Sequence, residues 1–196
     1  MYERKTSDEV SWYRPHLERS LEYVRAAGLA PNARIVDVGG GASTLVDDLL
    51  SEGYQNLALV DLADSALQVA RERLGKRAAL VDWVIGDVTQ PLLPDLSVDF
   101  WHDRAVFHFL TEQDARADYL AQVTRSVKPG GRVLVATFGL DGPEECSGLP
   151  VARYDAGGIH AVFGDAFDKL DEATEEHETP WGSAQSFVYC YCRRAP

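Results

Sequence analysis

The chain has 196 residues and a net charge of −12, from 31 acidic and 19 basic side chains. With 45% hydrophobic and 26% charged residues it has the make-up of a folded globular domain, which excludes disordered, collagen-like and disulfide-stapled chains. It has no eighteen-residue apolar run, no basic stripe for a phosphate backbone, no apolar leader in MYERKTSDEVSWYRP, and three cysteines, so we expect a reduced, cytoplasmic protein with neither nucleic acid nor membrane as partner.

Leu17, Leu21 and Val24 recur at i, i+4 and i+7 and predict a helix over 14–27, stopped by Gly28 and Pro31. Arg34–Val38, RIVDV, is a short buried strand. Gly39-Gly40-Gly41 follows as a turn, and 43–50 is helical. Residues 57–61 form a second strand. Asp64 or Ser65 caps the next helix, which carries Leu67, Ala70, Arg71 and Leu74 at helical spacing. Residues 83–85 and 98–102 are the third and fourth strands. Thr111 and Asp114 resemble a capping box, and Tyr119, Leu120, Val123 and Val127 give the helix after them an apolar face. Lys128-Pro129-Gly130-Gly131 ends that helix, and 132–138 is the fifth strand. A short helix over 155–163 precedes two strands, 169–176 and 185–192, paired as a hairpin across Thr179-Pro180-Trp181-Gly182. Five strands alternating with helices predict an open parallel α/β sheet, and the hairpin brings the strands to seven. The acidic stretch Asp165, Asp168, Asp171, Glu172, Glu175, Glu176 and Glu178 reads as a solvated strand face or loop rather than a trap for a cationic substrate.

Ligands of a doubly wound sheet bind beyond the C-terminal ends of the strands. Asp37-Val38-Gly39-Gly40-Gly41 stands there after the first strand, where glycines let the backbone turn tightly and approach a ligand. Asp61, twenty residues beyond Gly41, has the spacing of an acid that holds a ribose diol. Asp87, in Gly86-Asp87-Val88, lies where an adenine amino group needs an acceptor. A dinucleotide site requires a third glycine where Thr44 stands, so adenosine without a pyrophosphate fits better than a nicotinamide cofactor.

These residues resemble the motifs of class I S-adenosylmethionine-dependent methyltransferases. Asp37-Val38-Gly39-Gly40-Gly41 is similar to that family's D/E-x-G-x-G, and Val127-Lys128-Pro129-Gly130-Gly131-Arg132-Val133-Leu134 to its L-K-P-G-G-x-L. Val98, Asp99, Phe100, Trp101, His102 and Asp103 resemble its fourth motif. The resemblance covers about Ala33 to Thr137. It implies a Rossmann-like, doubly wound, mostly parallel seven-stranded sheet with a C-terminal antiparallel hairpin. It implies one methyltransferase domain over 1–196, with an N-terminal helical lid segment (1–31), a cofactor core (32–140) and a substrate-side loop and hairpin (141–196). It implies S-adenosylmethionine as cofactor and S-adenosylhomocysteine as product, held by Asp37, Gly39, Gly40, Gly41, Asp61, Leu62, Asp87, Val88 and Asp103.

The segment after the fourth strand meets the acceptor in this family. Here it is Trp101-His102-Asp103-Arg104-Ala105-Val106-Phe107-His108-Phe109, which lacks the Pro-Pro signature of amide and exocyclic nitrogen methylation and the cysteine of cytosine methylation. Asp103-Arg104-Ala105 loosely resembles the Asp-Lys-Gly of a branch that methylates protein lysines. Asp103, with Arg104 and His108, is the candidate catalytic set. His108 reads equally as a general base or as a packed histidine, and His102 reads as structural. Trp12 and Tyr13 read either as a lid over the sulfonium or as a hydrophobic clasp. Cys146, Cys190 and Cys192 invite a thiolate site for a soft metalloid, but strand cysteines are usually small buried hydrophobes, so no metal site is assigned. The expected acceptor is a small molecule. The alternatives are a protein lysine, a thiol or metalloid and, from other classes, a nicotinamide-dependent oxidoreductase or a cofactor-binding module without turnover.

Overall fold

In the computed structural model, which describes residues 14–178, 182 and 184–196, β-branched and aromatic runs form strands and the amphipathic segments between them form helices. The elements in order are α1 (Glu18–Ala26), β1 (Arg34–Val38), α2 (Leu45–Ser51), β2 (Asn56–Asp61), α3 (Asp64–Leu74), β3 (Val81–Ile85) and β4 (Val98–Arg104). After them come α4 (Gln113–Ser126), β5 (Val127–Phe138), β6 (Glu145–Cys146), β7 (Leu149–Pro150), α5 (Ala156–Phe163), β8 (Phe167–Glu178) and β9 (Ala184–Arg194). The main sheet has seven strands in the order β3-β2-β1-β4-β5-β9-β8. Strands β1 to β5 run parallel, and β9 enters antiparallel between β5 and the edge strand β8. This is the architecture expected from the sequence.

Alternate side chains of each strand feed opposite layers, as the two-residue period requires. Ile35, Leu57, Leu59, Phe100, Leu134, Tyr189 and Tyr191 pack with α1, α2 and α3. Val36, Val60, Trp101, Val133, Val135, Cys190 and Cys192 pack with α4 and α5 on the other face. Among the described residues no helix is long and apolar enough to cross a membrane.

Four local expectations are corrected. The α3 N-cap is Ala63, not Asp64 or Ser65, and makes no side-chain bond; Asp61 Oδ1 instead accepts the Ala63 amide at 2.9 Å. The α4 N-cap is Glu112, so Thr111 and Asp114 form no capping box. α4 ends at Ser126, before the Lys-Pro-Gly-Gly run. β5 starts at Val127, opposite Val98, and a register shift at Val98/Phe100 absorbs the run, with Gly130 at φ +77°. Finally, the acidic stretch is not wholly solvated: Asp171 accepts from Tyr23 at 3.1 Å and Glu175 from Arg14 at 2.6 Å.

Candidate functional site

A cleft of about 390 Å³ opens along the C-terminal ends of the strands, within the size range of small-molecule sites. Its wall includes Asp37, Val38, Gly39 and Gly40 after β1, Asp61 and Leu62 after β2, and Gly86, Asp87 and Val88 after β3. Gly39 turns the chain at φ +67°, and a Cβ there would run into the Val106 side chain. Arg73 of α3 clamps this turn, donating to the Ala42 carbonyl at 3.0 Å and pairing with Asp47 at 2.7 Å. Nothing in the sequence around Arg73 announced this role.

The carboxylates are held before any ligand arrives. Asp61 draws on the amides of Ala63, Gly41 and Leu62, while burial, the larger influence, raises its pKa. Gly41 itself is not on the wall; its amide faces Asp61. Asp87 Oδ1 accepts from the Thr89 amide at 2.9 Å and from its hydroxyl at 2.8 Å. Leu62, 72% exposed, stands at the cleft as a large apolar side chain in water. Asp37 Oδ1 meets His102 Nδ1 at 2.6 Å, and His102 Nε2 meets Ser20 Oγ of α1 at 2.8 Å. The ring engages both of its nitrogens, one with the carboxylate and one with the hydroxyl. His102 thus orients Asp37 and ties it to α1, in line with its structural reading. Asp37 Oδ2 is buried with no hydrogen-bond partner among the described residues.

The other half of the wall carries Arg14, Leu17, Arg104, Ala105, Val106, Phe109, Leu110, Cys146, Ser147 and Leu149. Arg104 lies 4.1 Å from the Phe187 ring centroid, and its Nε donates to Tyr189 at 3.3 Å. Tyr189 donates to Glu175 Oε2 at 2.6 Å, and Arg14 donates to Glu175 Oε1 and to His177 Nδ1. The sequence assigns no site role to Arg14, Glu175 or Tyr189, because only the folded sheet brings them together.

Two of the three predicted catalytic residues lie off this wall. Asp103 is fully buried. Its Oδ1 accepts the Val106 and Phe107 amides at 3.0 and 3.2 Å, and its Oδ2 accepts the Tyr119 hydroxyl at 2.7 Å. Burial raises its pKa to about 6 in spite of these bonds. Asp103 holds the chain entering the Phe107–Phe109 turn and is not part of the cleft wall. His108 is also fully buried, against Phe109 and Phe138, and neither ring nitrogen has a hydrogen-bond partner among the described residues. Burial, then the Arg104 charge, lowers its pKa to about 4. His108 is packed in the core, and of the three only Arg104 reaches the cleft.

The three cysteines are not assembled. Cys146 lines the cleft, whereas Cys190 and Cys192 lie 3.5 Å apart under α5. Among the described residues no group of three or more potential metal ligands occurs. Trp12, Tyr13 and Trp181 lie outside the described residues.

A methyltransferase-domain family profile matches residues 36–135. The eEF1A lysine and N-terminal methyltransferase of Bos taurus is 28% identical over 134 residues, which are 68% of this chain and 19% of that protein. The ubiquinone/menaquinone biosynthesis C-methyltransferase UbiE of Cupriavidus necator is 28% identical over 117 residues, 59% of this chain and 47% of its own. The chain therefore spans less than half the length of either relative. A solved SAM-dependent methyltransferase of Methanosarcina mazei superposes with a TM-score of 0.72 at 17% identity, covering 88% of this chain and 97% of that one. The sheet order and the profile match agree: the chain belongs to the methyltransferase-domain family.

Proposed function

We propose that the chain transfers the methyl group of S-adenosylmethionine to a small molecule bound in the same cleft. The observation that carries this is one continuous cavity with acids at the ends of β1 to β3 and a largely apolar wall beyond β4. The cofactor fits the residues present. Asp37 Oδ2 is a buried acceptor awaiting a donor, and a Cβ on Gly40 would sit 2.6 Å from it, so the absent side chain keeps that approach open. In this reading Asp61 holds the ribose, Asp87 the adenine amino group and Asp37 the methionyl amine. Leu62 and Val88 flank the adenine ring, and the Gly39-Gly40-Gly41 backbone passes beneath the cofactor.

The bound cofactor supplies an electrophilic methyl group on a sulfonium. The protein contributes proximity, alignment and exclusion of water. Among the described wall residues His102 is the one imidazole, and both its nitrogens are engaged by Asp37 and Ser20. An acceptor that ionises without a strong base, such as a thiol, suits this wall. The arginines of the acceptor half disfavour a lysine ammonium.

The test is a screen of thiols, phenols, amines and lysine-bearing proteins, with release of S-adenosylhomocysteine as readout. Turnover on small molecules supports the proposal. Turnover on protein lysines alone reassigns the acceptor. Cofactor binding without turnover on any acceptor leaves a binding module.

A further inference from the structure

The acceptor half of the cleft holds charge but keeps it within the protein. Among the described residues of that half of the wall, the charged ones are Arg14 and Arg104. Arg14 is committed at all three nitrogens: Nε donates to His177 Nδ1 at 2.8 Å, Nη1 to Glu175 Oε1 at 2.6 Å and Nη2 to the Glu176 carbonyl at 2.8 Å. The other Glu175 oxygen accepts the Tyr189 hydroxyl at 2.6 Å, and that hydroxyl accepts from Arg104 Nε at 3.3 Å. The Arg104 guanidinium lies on the Phe187 ring, 4.1 Å from its centroid. Arg14, Glu175, Tyr189 and Arg104 therefore form one chain of internal contacts. Beside them the wall is Leu17, Ala105, Val106, Phe109, Leu110 and Leu149. Leu149 is 57% exposed, a large apolar side chain with nothing over it among the described residues.

Resting on the methyltransferase reading above, we infer that the acceptor enters uncharged: a neutral, largely apolar small molecule held by Phe109, Leu110 and Leu149 rather than by an ion pair. An ion that enters this half gives up its hydration, which is costly unless a partner replaces the water. A carboxylate would have to take Arg14 from Glu175 and leave the Glu175 carboxylate without its cation. An ammonium would meet two guanidiniums, because the wall carboxylates, Asp37, Asp61 and Asp87, stand in the other half. A neutral apolar body disturbs none of these contacts, and it removes the apolar wall from water.

Protein saturated with S-adenosylhomocysteine is titrated in a calorimeter with three ligands of one shape: 2-naphthalenemethanol, which is neutral, 2-naphthoate, an anion, and 2-naphthylmethylamine, a cation. The alcohol is expected to bind at least about tenfold tighter than either ion, about 1.4 kcal/mol. The chain's net charge of −12 by itself repels the anion and attracts the cation. The titrations are therefore repeated in about 1 M salt, where the screening length falls to about 3 Å, and the preference is expected to persist. Glu175→Gln leaves Arg14 without its counter-charge and is expected to raise the affinity for naphthoate severalfold, with binding of S-adenosylhomocysteine reporting that the variant is folded. Comparing the three ligands on the unaltered chain keeps the test decisive if that variant does not fold. An ion that binds as tightly as the alcohol, no binding of the alcohol, a preference over the anion that vanishes in salt, or an unchanged naphthoate affinity in the folded variant would overturn the inference. Failure of the unaltered chain to bind S-adenosylhomocysteine is a separate result that removes the methyltransferase reading, and this inference with it.

Discussion

The β3-β2-β1 end of the cleft and the β4-β5-β9-β8 end are built by different means. At the first end the functional groups sit at or just beyond strand termini; Asp61 and Asp87 are fixed by chain neighbours, Ala63 and Thr89, and Asp37 by His102 of the adjacent strand. At the second end the groups meet across the whole sequence: Arg14 and Glu175 are 161 residues apart, and Arg104 and Tyr189 are 85 apart. The first end needs only turn chemistry and correctly ended strands. The second exists once β9 has entered between β5 and β8. On the proposed function, cofactor binding rests mostly on local structure, and acceptor binding on the assembled sheet.

The largest effect is expected from breaking the first end at its turn. Gly39→Ala combines a left-handed backbone, which costs a non-glycine residue about 1–2 kcal/mol, with displacement of Val106, an overpacking cost of about 1–3 kcal/mol. Denaturant unfolding should show a loss of that combined size, and calorimetry should show no binding of S-adenosylhomocysteine. Near-normal binding would mean that the turn does not have to hold this shape.

Tyr119→Phe sharpens the comparison by testing Asp103 as a structural group of the second end. It removes the donor to Asp103 Oδ2 and the acceptor of Trp101 Nε1. A stability loss of roughly 1–3 kcal/mol is expected, with cofactor affinity unchanged. A large loss of cofactor affinity without loss of stability would return Asp103 to the binding site.

The smallest effect concerns pH. The folded chain protonates His108 later than the unfolded chain does, about 4 against 6.5, so its contribution is present above pH 6.5 and is lost as pH falls toward 4. Asp103 runs the other way: its pKa of about 6 against 3.8 makes its contribution grow as pH falls through the same range. The two offset each other in the unaltered protein. His108→Leu removes the loss and leaves the gain. Between pH 6.5 and 4 its melting temperature should fall less than that of the parent, by several degrees. An identical fall in both proteins would show that His108 is not held neutral.

The sequence revealed the first end well and the second poorly, for the same physical reason. Asp37, Gly39, Asp61 and Asp87 follow apolar runs short enough to be strands, so their convergence at one sheet edge could be foreseen. Arg104 reached the cleft but Asp103 did not, because successive strand residues alternate between faces and only the fold says which face is open; His108 lies in the Phe107–Phe109 turn, which carries it into the core. Ser20, Arg73, Glu175 and Tyr189 left no local signal, since the partner of each lies in another element. The α3 cap was missed because Asp61, before the helix, closes the turn into it.

The most direct measurement is calorimetric titration of the unaltered chain with S-adenosylhomocysteine, with NAD as the comparison ligand. Saturable binding of S-adenosylhomocysteine, and none of NAD, is the predicted result. Binding of NAD alone would contradict the assignment of Asp61 and Asp87 to an adenosine that carries no pyrophosphate.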